Sequence, residues 1–100
     1  MPYITLPTTL VLQAIADGVR YGFDIADRTG LQTGTVYPAL RRLESLGYAR
    51  SSWESERIAR REQRPARRYY EITRAGTDAL ELAQRRFANL GRLRPGTRHA

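Results

Sequence analysis

The sequence predicts a mainly α fold with a small β-hairpin (α+β). Three observations carry that prediction: short apolar-periodic segments before Gly47, two strand-like segments flanking a charged connector, and one long amphipathic segment after Thr73. With 100 residues, 41% of them apolar, the chain has material for one domain with one modest core.

In the first helix, Leu10, Val11, Leu12, Ala14, Ile15 and Ala16 follow a Thr8-Thr9 pair able to cap, and Asp17-Gly18 supplies a stop. A short second helix is expected over Tyr21 to Gly30, with Phe23 or Ile25, and Ala26, turned inward. Packing must hold a helix that short. After the turn Leu31-Gln32, Thr33 is the N-cap candidate of a third helix with Val36, Leu40, Leu43 and either Leu46 or Gly47 on one face. At about 100° per residue, Gly34, Pro38, Arg41 and Ser45 fall opposite that stripe, with Thr35, Tyr37 and Arg42 on its flanks. Pro38 is early enough to be tolerated with a slight bend.

Tyr48 to Trp53 and Arg67 to Ile72 read as strands. Trp53 is expected to pack across the hairpin on the facing aromatic strand. The connector from Glu54 to Ala66 sets Arg57, Arg60, Arg61 and Arg64 against Glu54, Glu56 and Glu62, has little to bury, and is expected to be a mobile hairpin tip. Thr73 caps a final helix to about Leu90, in which Leu80, Ala83, Phe87 and Leu90 have the 3-4-3 spacing of a coiled-coil seam. Covering that seam calls for self-association, so the domain is drawn as residues 1–90 with 73–90 as a dimerisation helix. Residues 91–100, with Arg92, Arg94, Pro95 and Arg98, are expected to form a disordered basic tail.

A net charge of +7 and a pI near 10.8 point to an anionic partner, nucleic acid or an acidic membrane. All 17 basic residues are arginine, which suits phosphate and guanine edges but across a whole chain reads as codon bias. The chain has no cysteine, hence no disulfide or thiolate metal site, and no apolar run approaches the roughly 20 residues of a membrane span. With no early signal-like segment either, a cytoplasmic protein without membrane or metal partners is expected. No cofactor is expected. An enzyme is disfavoured: the single histidine, His99, lies near the end, and neither a glycine-rich phosphate loop nor a pocketed carboxylate pair is evident.

Three helices, a basic hairpin and a terminal helix in that order describe a winged helix-turn-helix, whose third helix enters the DNA major groove while the hairpin reaches the flanking backbone or minor groove. Four stretches also resemble the PadR-like transcriptional regulators: Tyr21-Gly22-Phe23-Asp24-Ile25, Gly34-Thr35-Val36-Tyr37-Pro38-Ala39-Leu40-Arg41-Arg42-Leu43-Glu44, Gly47-Tyr48, and Arg67 through Gly76. The resemblance spans about residues 10–80. It implies a dimeric, DNA-binding transcription factor, often a repressor, that in some members responds to a small aromatic or drug-like effector near the dimer interface. Two features depart from the pattern. The turn before the third helix is shorter than in many relatives, and the chain ends soon after its last helix, like the compact members.

On this reading Arg41 and Arg42 reach guanine edges or phosphates, against the alternative of a solvated helix face. Thr33, Thr35 and Tyr37 offer hydroxyls to phosphate, and Gly34 and Pro38 line the exposed face at the helix start, where free amides favour an anion. Tyr37 has packing on the second helix as its alternative. Arg60, Arg61 and Arg64 supply sequence-independent affinity, and at most one of Arg67 and Arg68 points at DNA. Leu80, Ala83, Phe87 and Leu90 form the dimer seam, or else face the first helix of their own chain. The competing function is a winged-helix protein-interaction module without specific DNA binding.

Overall fold

A computed structural model describes residues 3–92, and the side chains of residues 3–88. The chain forms, in order, α1 (Leu6–Ala16), α2 (Gly22–Thr29), α3 (Thr33–Ser45), β1 (Ala49–Trp53), α4 (Glu56–Arg61), β2 (Arg68–Ile72) and α5 (Arg74–Arg92). This is a helical domain with one antiparallel hairpin, the winged helix-turn-helix arrangement expected from the sequence.

α1 begins earlier than its Thr8-Thr9 pair suggested. Thr5 is the N-cap, its hydroxyl accepting from the Thr8 amide at 3.3 Å, and Pro7 occupies the first turn, where no intrahelical amide bond is lost. Thr8 and Thr9 lie inside the helix and are buried, and the Thr9 hydroxyl donates to the Thr5 carbonyl at 2.8 Å. In α2 the inward residue is Ile25, whereas Phe23 is 72% exposed.

α3 turns Val36, Ala39, Leu40 and Leu43 into a core shared with Val11, Leu12 and Ile15 of α1. Gln32 rather than Thr33 is its N-cap, and that cap makes no side-chain hydrogen bond. After Gly47, at φ +79°, the chain enters the hairpin.

In the hairpin Ala49 faces Ile72, Ser51 faces Tyr70 and Trp53 faces Arg68. Tyr70 and Ala49 are buried, so one face of the ladder seals the core. The other face carries Tyr69, which meets Tyr21 edge-on at 6.2 Å, and the Tyr70 amide bonds the Arg20 carbonyl at 2.9 Å. The hairpin is thereby fastened to the segment leading into α2. Trp53 meets the facing strand as expected, but not an aromatic ring of it: the residue opposite is Arg68, whose guanidinium lies over the indole at 5.2 Å and leaves Trp53 62% exposed.

α5 is capped by Thr73, whose hydroxyl accepts from the Gly76 amide at 3.0 Å and donates to the Gly47 carbonyl at 2.6 Å. The helix packs on α1, and this changes the reading of the seam. Leu80 and Ala83 are 5% and 2% exposed within the chain's own core, and Phe87 packs half-buried against it. Arg86 reinforces the junction by donating to the Ile4 carbonyl and covering the Tyr3 and Phe87 rings at 4.4 and 4.5 Å. The side chain of Leu90, and residues 93–100 of the expected tail with His99, lie outside the described residues.

Candidate nucleic-acid interface

The outer face of α3 carries Thr33, Gly34, Thr35, Pro38, Arg41 and Arg42, all exposed. Because Gln32 is the cap, the Thr33 hydroxyl is not used for capping, and Thr33 and Thr35 hydroxyls bond no other described residue. A β-carbon built on Gly34 would meet no atom of the chain within 4 Å, so nothing in the fold requires glycine there. A glycine that costs helix stability yet serves no internal packing is suited to close approach by something outside the chain. Arg41 and Arg42 form no ion pair among the described residues, although their neighbour Glu44 is fully engaged.

Glu44 ties this helix to the wing. It accepts from Ser51 Oγ in β1 at 2.5 Å and pairs with Arg68 of β2 at 3.4 Å, while Arg68 Nε donates to Ser51 Oγ at 2.9 Å. A second acid, Glu54, closes the base of the wing. It takes both terminal nitrogens of Arg64, at 2.5 and 2.9 Å, and the Arg67 amide at 3.3 Å. The Arg64 hydrogen bonds outweigh the opposing effect of burial, and with Arg67 they hold the Glu54 carboxyl at about 2, while Arg64 is pushed up in turn. Arg67 lies over the Tyr21 ring at 3.8 Å.

Tyr37 is half-buried between these parts. Its ring meets Phe23 edge-on at 6.4 Å, and a β-carbon on Gly22 would come within 2.5 Å of it, so α2 and α3 cross closely only because residue 22 is glycine. An adjoining cavity of about 190 Å³ is lined by Tyr21, Phe23, Tyr37, Arg67, Arg68 and Tyr70. Burial raises the Tyr70 phenol above its ordinary value.

Comparison with known proteins places this geometry. The profile of the Transcriptional regulator PadR-like family matches residues 11–82. The chain belongs to the PadR-like family. This is a family of transcription regulators and not an enzyme class, and no described helix of this member is long and apolar enough to cross a membrane. Its structure is similar to that of a PadR family transcription regulator from hypervirulent Clostridium difficile, at 26% identity and TM-score 0.71, covering 89% of this chain and 94% of that one. A PadR family transcriptional regulator from Eggerthella lenta is 25% identical, with TM-score 0.61 and coverage of 89% and 84%. A transcriptional regulator from Clostridium thermocellum, 24% identical with TM-score 0.67 over 87% and 84% of the two chains, shares the fold. No curated protein matches the chain.

Within this PadR-like domain the candidate residues sort by how they are held. Thr33, Gly34, Thr35, Pro38, Arg41 and Arg42 share one exposed helix face, and Arg60 and Arg61 are exposed on α4. Arg64 is different: the sequence placed it on a free tip, but it pairs with Glu54, and the connector before it contains a six-residue helix, α4 (Glu56–Arg61). Arg67 is half-occupied by Tyr21 and lies 4.0 Å from Glu54. Arg57, Glu44 and Glu54 join the candidate interface by their contacts and placement, although composition gave no reason to prefer them over other charged residues. For α4 a signal did exist, since Ser55 stands at the N-cap and accepts from the Ile58 amide at 3.2 Å.

Proposed function

We propose that this PadR-like regulator binds a pseudo-palindromic operator as a homodimer and represses transcription, with α3 in the major groove and the wing on the flanking backbone. The observation that carries this reading is the sorting of arginines. Arg20, Arg28, Arg50, Arg64, Arg67 and Arg68 all face carboxylates, whereas Arg41, Arg42, Arg57, Arg60, Arg61, Arg74, Arg85 and Arg86 face none among the described residues, and five of those eight stand on α3 and α4 while the other three are on α5. Guanidinium groups without an internal counter-ion, concentrated on α3 and the wing, favour phosphate and guanine edges. Thr33, Gly34, Thr35 and Pro38 set the helix start against the backbone, with Tyr37 supporting from behind.

The dimer contact is proposed beside the α1–α5 junction. Leu80 and Ala83 are interior, so the surface for a second copy comes from Phe87 and from Leu6 and Leu10, exposed one turn apart on α1 with Tyr3 nearby. Two α3 helices about 34–36 Å apart would then match one turn of duplex. Relief by a small aromatic ligand at this junction is part of the same proposal, supported by the family resemblance and the Phe87 ring. Its readout is operator affinity in the presence of a panel of aromatic compounds.

Selection of bound fragments from random or genomic DNA tests the reading. Enrichment of a two-fold symmetric site with half-sites one turn apart supports it, and a reporter driven through that site gives the sign of regulation. Absence of any enriched sequence would favour the protein-interaction module instead.

A further inference from the structure

The wing is built rather than loose. Ser55 caps the start of α4, and its end closes by a Schellman turn: the Gln63 amide bonds the Arg60 carbonyl and the Arg64 amide the Ala59 carbonyl, each at 3.1 Å. Gln63 takes the left-handed conformation at φ +58°, a strained choice for a residue with a side chain. That turn swings Arg64 back onto Glu54, which is only 7% exposed although it stands at the root of a surface hairpin. The Glu54 amide meanwhile bonds the Arg67 carbonyl at 2.7 Å, continuing the ladder past Trp53. Both ends of α4 are therefore anchored at one residue.

The same anchoring orients α4. Ala59 is buried beneath the helix, and Arg57, Arg60 and Arg61, at i, i+3 and i+4, share the opposite face around one open groove of about 440 Å³. Glu56 and Glu62, the other acids of the connector, pair with none of the three. Three unneutralised guanidiniums on one turn of a fixed helix repel one another, an arrangement that a polyanion relieves.

We propose that Glu54 is a positioning residue for DNA contact: by locking Arg64 and the Arg67 backbone it holds α4 so that Arg57, Arg60 and Arg61 meet the phosphate backbone as one preformed clamp. This rests on the DNA-binding reading above and adds a sign to it. A wing that acted only as a mobile cation would bind more tightly without Glu54, since removing the acid raises net charge and frees Arg64. A preformed clamp would bind less tightly, because three arginines would have to be ordered on binding.

The experiment is a fluorescence anisotropy titration of a labelled mixed-sequence duplex of about three helical turns, roughly 30 base pairs, at several salt concentrations. The proteins are wild type, Glu54→Ala, Glu54→Gln, the triple variant Arg57→Ala/Arg60→Ala/Arg61→Ala, and that triple variant combined with each Glu54 change. Wild type is expected to bind with a steep salt dependence. The triple variant lowers the salt slope by about 2 to 3, and Glu54→Ala weakens binding by about tenfold. The three arginines should matter several-fold less in a Glu54→Ala or Glu54→Gln background than in wild type. Tighter or unchanged binding by Glu54→Ala, or an equal loss from the triple change in every background, overturns the clamp while leaving DNA binding intact. Failure of wild type to bind overturns both. Hydrogen exchange of free wild type keeps the test independent of variant folding: protected α4 amides support the proposal, and exchange at coil rates contradicts it.

Discussion

Glu44 of α3 accepts a hydrogen bond from Ser51 of β1 at 2.5 Å, and Arg68 of β2 bonds both partners. One carboxylate thus fixes the angle between the helix proposed to enter the groove and the wing proposed to flank it. Glu44→Ala is expected to cost about 1 kcal/mol of stability and to weaken DNA binding by about threefold to tenfold. A melt by circular dichroism and an anisotropy titration read the two effects. Unchanged affinity would mean that the wing is oriented by other contacts.

Gly34 should show opposite effects on stability and binding. Its β-carbon position is empty and its backbone is not left-handed, so Gly34→Ala is expected to raise stability by about 0.5–1 kcal/mol. The added methyl would hold the helix start away from a phosphate and lower duplex affinity by about tenfold. A higher melting temperature with unchanged affinity would remove Gly34 from the interface.

Leu80 tests where the terminal helix packs. Being interior, Leu80→Ala is expected to destabilise each subunit by about 2–5 kcal/mol. Chemical denaturation measures this, and sedimentation measures association. Loss of association with unchanged unfolding free energy would restore Leu80 to the dimer seam.

Acid should release the wing lock with a defined sign. The folded Glu54 carboxyl, held at about 2 against an ordinary 4.5, binds its proton less readily than in the unfolded chain, so its contribution is complete above about pH 4.5. It is lost as pH falls from about 4.5 to about 2. Acid unfolding of wild type and Glu54→Gln should therefore show a stability difference that narrows across that window. A difference independent of pH would show that the charge on Glu54 is not what matters.

The helices and the hairpin were legible because their signals are local: Val36, Leu40 and Leu43 repeat at helical spacing, and Tyr69 and Tyr70 divide between two faces of a strand. The inward choice of Ile25 over Phe23 was open in sequence and needed the packing of α2 on α3. Three expectations depended on contacts that local spacing does not carry. Leu80 and Ala83 have the spacing of a dimer seam, but spacing does not say which surface covers them, and α1 of the same chain does. Arg64 looked like its neighbours Arg60 and Arg61 until the Gln63 turn brought it to Glu54, a residue ten positions away. Trp53 followed the same pattern, since its partner depended on a register that placed Arg68, not an aromatic ring, opposite it.

Recognition through α3 is tested most directly by titrating a selected operator fragment with wild type and with Arg41→Ala/Arg42→Ala at fixed salt. Both side chains are exposed, so the fold should be unaffected. A loss of about 1–3 kcal/mol for each arginine that reads a guanine, with relaxed discrimination between selected and scrambled fragments, is the predicted result. Affinity and discrimination unchanged in the double variant would contradict it.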